Sequence, residues 1–344
     1  MDAFYVSCEL QRRPELQGQP VVVAGSGPRA VVTTASYEAR RFGVFSATPA
    51  ERARRLCPEA VFVPPDFAHY RERSRDVMAV LRGQVECVEV VGLDEAYVDL
   101  SGLERHRAAA RQLKGAIQDE TGLGCSIGIG PNKLVAKVAS DADKPDGFLE
   151  LTQEEARERF ADASPGLIPG IGPKTQERLE AQGVHTLGRL ASLPDATLAE
   201  WFGSNLGPHL GRLARFEDER PLETVRVAKS ESRETTFDQD LVGLEALEPV
   251  LERLTNDLCD TLAGEDRRGR TVGIKVRFAD FRTVTRARTV GEAVNDRSIV
   301  LGLAGDLLRE LEPRAPVRLL GVRVAGLDEG AETAAPADQL ELSL

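Results

Sequence analysis

At 344 residues, with hydrophobic residues at 42% and charged residues at 29%, the chain has apolar surface for more than one packed core, which excludes global disorder. Its formal charge of −11 argues mildly against a nucleic-acid binder, since phosphates repel carboxylates, but the face that meets DNA matters more than the whole chain. Five isolated cysteines (Cys8, Cys57, Cys87, Cys125, Cys259) without zinc spacing read as buried thiols of a reducing cytoplasm, and neither a signal peptide nor a membrane span is expected.

Val21-Val22-Val23 and residues 30–36 are β-rich runs separated by Gly25-Ser26-Gly27-Pro28, which predicts two strands and a turn. Residues 37–42 read as a helix ending at Gly43. Strand character returns over residues 85–100, interrupted by Gly92-Leu93-Asp94-Glu95, and a short apolar strand is predicted at residues 125–129. Gly130-Pro131 is expected to open a helix with Leu134, Val135 and Val138 as its apolar stripe, and Lys144-Pro145-Asp146-Gly147 to stop it. This alternation predicts an α+β sheet domain. From about Glu154 the pattern is helical, residues 226–234 read as a polar linker, and residues 235–325 read as a separate domain. The stretch 328–338, rich in Ala, Glu and Pro, is predicted to be disordered, and no internal repeat is visible.

Asp94-Glu95 is the sharpest chemical feature. Adjacent acids beside an apolar strand pattern repel each other and are costly to desolvate without a cation, so hard oxygen ligands for Mg²⁺ are one reading and a solvated turn is the other. Tyr37 and Arg40 stand three apart on one helical face, where a guanidinium and a phenol suit phosphate or simply form a surface pair. Ile168-Pro169-Gly170-Ile171-Gly172 precedes an amphipathic helix from about Pro173. Its glycines permit close backbone approach, and helix-start amides can hold a phosphate, although a plain tight turn has the same signature. Residues 266–288 hold a basic cluster. Val272, Ile274, Val276 and Phe278 alternate with Lys275 and Arg277, so a strand would bury the first set and present the cations. Arg282, Arg286 and Arg288 share a parity, and two consecutive basic strands would suit a surface that grips phosphates.

Several of these segments resemble motifs of the Y-family (translesion) DNA polymerases of the polymerase IV type. Gly92-Leu93-Asp94-Glu95-Ala96-Tyr97-Val98-Asp99 resembles the family's metal-binding turn, with Gly92 where the family has Ser. Residues 34–44 are similar to the fingers motif, and Ser126-Ile127-Gly128-Ile129-Gly130-Pro131-Asn132-Lys133 with the following Lys144 segment extends the match. The resemblance covers about residues 1–325 plus the tail. It implies a multidomain α+β right hand: palm at 1–9 and 67–153, fingers at 10–66, helical thumb at 154–225 with a helix-hairpin-helix, linker at 226–234, little finger at 235–325 and a flexible tail at 326–344. The implied reaction is template-directed, low-fidelity addition of deoxynucleotides to a primer 3′ end, with lesion bypass and two Mg²⁺ ions.

By the same resemblance, Asp94 and Glu95 are the catalytic metal ligands. Tyr5 is a steric gate against the 2′-hydroxyl, with Phe4 beside it, and Thr34, Tyr37, Arg40 and Lys144 line the nucleotide. Gly170, Gly172 and Lys174, with Lys275, Arg277, Arg282, Arg286 and Arg288, contact primer-template DNA. Gln339, Leu340, Leu342 and Leu344 resemble a sliding-clamp-binding peptide. A monomer without membrane association is expected.

The segment from Met1 to Glu9 resembles the family's opening motif, in which an apolar strand runs into Asp-x-Asp-x-Phe-Phe/Tyr. Met1 falls on the x, where it would offer a metal only its backbone carbonyl, and Asp2 falls on the second Asp. The first Asp, a ligand of both metals in the family, and its strand would lie before Met1. A start assigned too late is the expected cause. The alternative is a non-catalytic DNA- and clamp-binding accessory protein of the same family; a nuclease using the same acids fits less well beside Tyr5 and the triphosphate residues.

Overall fold

The computed structural model describes residues 1–328; Gln339, Leu340, Leu342 and Leu344 therefore lie outside the described residues. In chain order come α1 (Phe4–Arg12), β1 (Val21–Ala24), β2 (Val32–Ala35), α2 (Tyr37–Arg40), α3 (Ala50–Leu56) and β3 (Val61–Val63). Then follow α4 (Phe67–Gln84), β4 (Val88–Val90), β5 (Ala96–Val98), α5 (His106–Thr121), β6 (Ile127–Ile129), α6 (Lys133–Ala142) and β7 (Phe148–Glu150). A helical stretch contains α7 (Gln153–Arg159), α8 (Pro173–Glu180), α9 (Leu187–Ala191), α10 (Asp195–Phe202) and α11 (Leu206–Ala214). The last elements are β8 (Ser230–Leu241), α12 (Leu244–Gly264), β9 (Gly269–Phe278), β10 (Thr283–Val294), α13 (Arg297–Leu311) and β11 (Val317–Leu327). The chain forms two compact units, Met1–Gln17 with Phe67–Thr224, and Gly18–Asp66 with the chain from Val225 onward.

In the first unit, β4 and β5 form an antiparallel hairpin with Glu89 opposite Tyr97, while β6 and β7 form a separate parallel pair. Gly128 is required where β6 crosses α6, because a Cβ there would collide with the Ala136 carbonyl. Helix α6 starts two residues later than the sequence suggests. Asn132 caps it by accepting the Val135 N–H at 2.9 Å, which leaves Pro131 outside the helix. Its buried stripe of Leu134, Val135 and Val138 joins one core with Ile168, Leu179 and Leu210 of the helical stretch. One helix thus serves both the small sheets and the helical segment.

In the second unit, β1 pairs antiparallel with β2 and parallel with β3, a strand the sequence reading did not single out. The later elements make a four-stranded antiparallel sheet in the order β10-β9-β11-β8, with α12 and α13 packed on one face. The predicted linker 226–234 is shorter than expected. Ser230 already pairs with Ala325, so residues 230–234 belong to β8, whose polar sequence concealed a strand held by its ladder.

Candidate active site

The acids Asp94 and Glu95 sit at the turn of the β4–β5 hairpin, where Val91 and Gly92 N–H both donate to the Glu95 carbonyl at 3.0 and 3.1 Å. They open onto a cavity of about 1200 Å³ that is also lined by Met1, Val98, Ile127, Lys137 and Lys144. Burial pushes the Asp94 carboxyl above its ordinary value. The terminal ammonium of Met1 opposes that rise, and the Glu95 charge adds to it. The Asp94 side chain makes no hydrogen bond or ion pair among the described residues. A desolvated acid repelled by its neighbour is an arrangement that a divalent cation relieves, so the pair fits part of a metal site. The rest of the set differs. Glu95 pairs with Lys137, and no cluster of three or more metal-ligating side chains occurs among the described residues.

Lys137 is a residue that sequence reasoning missed. Burial by itself lowers the basicity of its ammonium, but the hydrogen bond and charge of Glu95, joined by Asp141 at 3.2 Å, hold it above the ordinary value. Asp141 also accepts Lys144 Nζ at 2.8 Å. Against the cost of burial, these two ammonium groups hold the Asp141 carboxyl below its usual range. The available signal was Lys137, Asp141 and Lys144 at helical spacing on and after α6. Lys144 lines the same cavity as Asp94 and Glu95.

Met1 and Asp2 run between the two small sheets. The Met1 ammonium donates to Asp94 O at 2.6 Å, on the hairpin side, and the Asp2 N–H donates to Gly124 O at 3.1 Å, just before β6. Successive nitrogens reach opposite neighbours, as in a strand lying between two others. Tyr5 stacks on Tyr70 with ring centroids 4.5 Å apart and meets the edge of Phe67 at 6.0 Å, with Phe4 buried beside it. Burial, then the Asp94 charge, pushes its phenol up to about 12.

Thr34, Tyr37 and Arg40 belong to the other unit. Thr34 lies in β2 opposite Val23, and Ser36 caps α2 by accepting the Ala39 N–H at 3.2 Å. The Arg40 guanidinium lies 4.5 Å from the Tyr37 ring centroid, and its Nε donates to Ala35 O at 3.0 Å, so the two side chains do share a face.

Gly170 takes a φ of 96° and Gly172 caps α8, with Lys174 in the first turn and Ile168 and Ile171 anchoring the turn in the core. This is the predicted turn followed by a helix start. The two basic strands differ from expectation. Lys275 lies opposite Thr285 and Arg277 opposite Thr283, whereas Arg286 lies opposite Ile274 and Arg288 opposite Val272. Cross-strand partners share a face, so Arg286 and Arg288 are on the helix-facing side, away from Lys275 and Arg277. Arg288 accordingly pairs with Glu310 of α13 at 2.5 Å. Arg282 lies in the hairpin loop rather than in β10, and Lys275 pairs with Glu234 at 2.7 Å. Sequence parity within each strand could not reveal the register between them.

Residues 1–141 match the model of the impB/mucB/samB family, and residues 228–342 match that of its C-terminal domain. The chain belongs to this family. The DNA polymerase IV of Methanoculleus marisnigri is 40% identical over 98% of this chain and 96% of that protein. The DNA polymerase IV of Xanthomonas campestris pv. campestris is 41% identical over 96% of this chain and 93% of its own. Among solved structures, a Y-family DNA polymerase chimera of Dbh and Dpo4 superposes with a TM-score of 0.83 at 26% identity, covering 94% of this chain and 96% of that one. An insertion ternary complex of Dbh DNA polymerase gives 0.65 over the same shares. This is a Y-family, DNA-directed DNA polymerase of the translesion type with a multidomain α+β fold. No helix among the described residues is long and apolar enough to cross a membrane.

Proposed function

We propose that the chain extends a primer on a template by low-fidelity addition of deoxynucleotides past damaged bases, with Asp94 and Glu95 as ligands of two Mg²⁺ ions. The observation that carries this is the desolvated Asp94 carboxyl, without a hydrogen bond or ion pair among the described residues, beside Glu95 on a cavity shared with Lys137 and Lys144. When bound, the ions supply Lewis-acid stabilisation of the attacking and leaving oxygens. Lys144 in the first unit is a triphosphate ligand; in the second unit Tyr37 and Arg40 have the same role, and Thr34 lines the nucleotide. Tyr5 excludes a 2′-hydroxyl, with its ring fixed by Tyr70 and Phe67. Backbone at Gly170 and Gly172, with Lys174, holds duplex phosphates, as do Lys275 and Arg277 on the open face of the little-finger sheet. The protein acts as a monomer, and Gln339, Leu340, Leu342 and Leu344 bind a sliding clamp.

Met1, whose ammonium donates to Asp94 O at 2.6 Å, would offer the same ions its backbone carbonyl.

Primer extension with Mg²⁺ is the test. The chain extends the primer, and Asp94→Asn abolishes extension while leaving primer-template binding intact. A second reading, a non-catalytic DNA- and clamp-binding relative, is favoured by the Glu95–Lys137 pairing and by the lack of a three-acid cluster among the described residues. DNA binding without extension would establish it.

A further inference from the structure

The turn joining β9 to β10 has an unusual residue at its tip. Phe281 N–H donates to Phe278 O at 2.9 Å, and Phe278 N–H donates to Arg282 O at 2.9 Å, so a tight turn is followed by one left-handed residue that closes the hairpin. That residue is Phe281, with a φ of 65°. Glycine takes this position without strain, and a bulky side chain there is an outlier. The ring does not repay the strain by burial, since Phe281 is 64% exposed. Strained and solvent-facing aromatic residues call for a functional explanation.

The surroundings are cationic. The Arg318 guanidinium lies 4.7 Å from the Phe281 ring centroid, and Arg282 lies 4.2 Å from that of the buried Phe278. Burial, and then the charge of Arg29, draws Arg318 below its ordinary value. Arg277 acts in the same sense, and Asp240 opposes them. Asp280 offsets part of the charge by pairing with the Arg282 guanidinium at 4.0 Å, and it accepts the Arg282 backbone N–H at 2.9 Å. A single ring set among arginines is not a broad apolar patch for protein docking. It matches the face of a nucleobase and its neighbouring phosphates.

We propose that Phe281 is a stacking platform for an unpaired DNA base, with Arg318 backing the ring and Arg277 and Arg282 attracting the adjoining phosphates. The site shares Arg277 with the duplex-phosphate face proposed for β9 and adds to it a ring for an unpaired base. It rests on the polymerase reading only for the identity of the strand, which is template not yet copied.

The test compares the full chain with Phe281→Gly and Phe281→Trp in equilibrium binding to oligo(dT) and to a blunt duplex. Phe281→Gly relaxes the turn, so its thermal midpoint equals or exceeds that of the parent. Its affinity for oligo(dT) falls about fivefold or more, while blunt-duplex affinity changes by less than about twofold, and Phe281→Trp retains both. Unchanged oligo(dT) binding in Phe281→Gly, an equal loss on both DNAs, or a lowered midpoint would overturn the proposal. Absence of primer extension by the parent chain would count against the polymerase reading while leaving the oligo(dT) comparison intact.

Discussion

The Asp2 carboxylate accepts hydrogen bonds from Ser126 Oγ at 2.8 Å and from Asp146 N–H at 2.8 Å, tying the first residues of the chain to β6 and to the turn that carries Lys144. Ser126 Oγ in turn accepts the Gly147 N–H at 3.0 Å. Asp2 is buried, so removing its carboxylate leaves donors without a partner. Asp2→Ala is expected to destabilise the first unit by about 1–3 kcal/mol and to lower the thermal midpoint by several degrees. A midpoint equal to that of the parent in differential scanning calorimetry would contradict this network.

Tyr5 is held on two sides by Tyr70 and Phe67, so truncation removes a ring that cannot be replaced by small rearrangements. Tyr5→Ala is expected to raise ribonucleotide incorporation about tenfold or more relative to deoxynucleotide, whereas Tyr5→Phe keeps the parent's selectivity. Single-nucleotide insertion assays with matched sugars measure this. Unchanged selectivity in Tyr5→Ala would remove the gate assignment.

Burial pushes the Cys8 thiol up to about 12 and the Cys259 thiol up to about 11, from an ordinary value of 9.0. Below pH 9 both are protonated whether the chain is folded or not. Above it the unfolded chain releases protons that the folded chain retains, so stability falls as pH rises from about 9 towards 11–12. At pH 8 neither thiol should react with a maleimide until denaturant is added. Rapid labelling of Cys8 or Cys259 in the folded protein, read by mass spectrometry, would contradict their burial.

Groupings that lie within a few consecutive residues were legible in the sequence. Asp94 and Glu95 are neighbours on one turn, Tyr37 and Arg40 share one helical turn, and Gly170 and Gly172 bracket one bend, so local geometry brings each group together. The alternation of Val272, Ile274, Val276 and Phe278 likewise determined which side of β9 is buried. Relations between distant segments were decided by tertiary structure. The Glu95–Lys137 pairing needs β5 and α6 side by side, and the anchoring of Asp2 depends on residues more than a hundred positions away. The split of the basic residues between two faces follows from a register that places Arg286 opposite Ile274. Phe281 is an ordinary aromatic in the sequence and becomes conspicuous only when the hairpin closes at a left-handed residue. Periodicity reports the conformation of one segment at a time, whereas ion pairs, cross-strand register and loop strain depend on which segments the folded chain brings into contact.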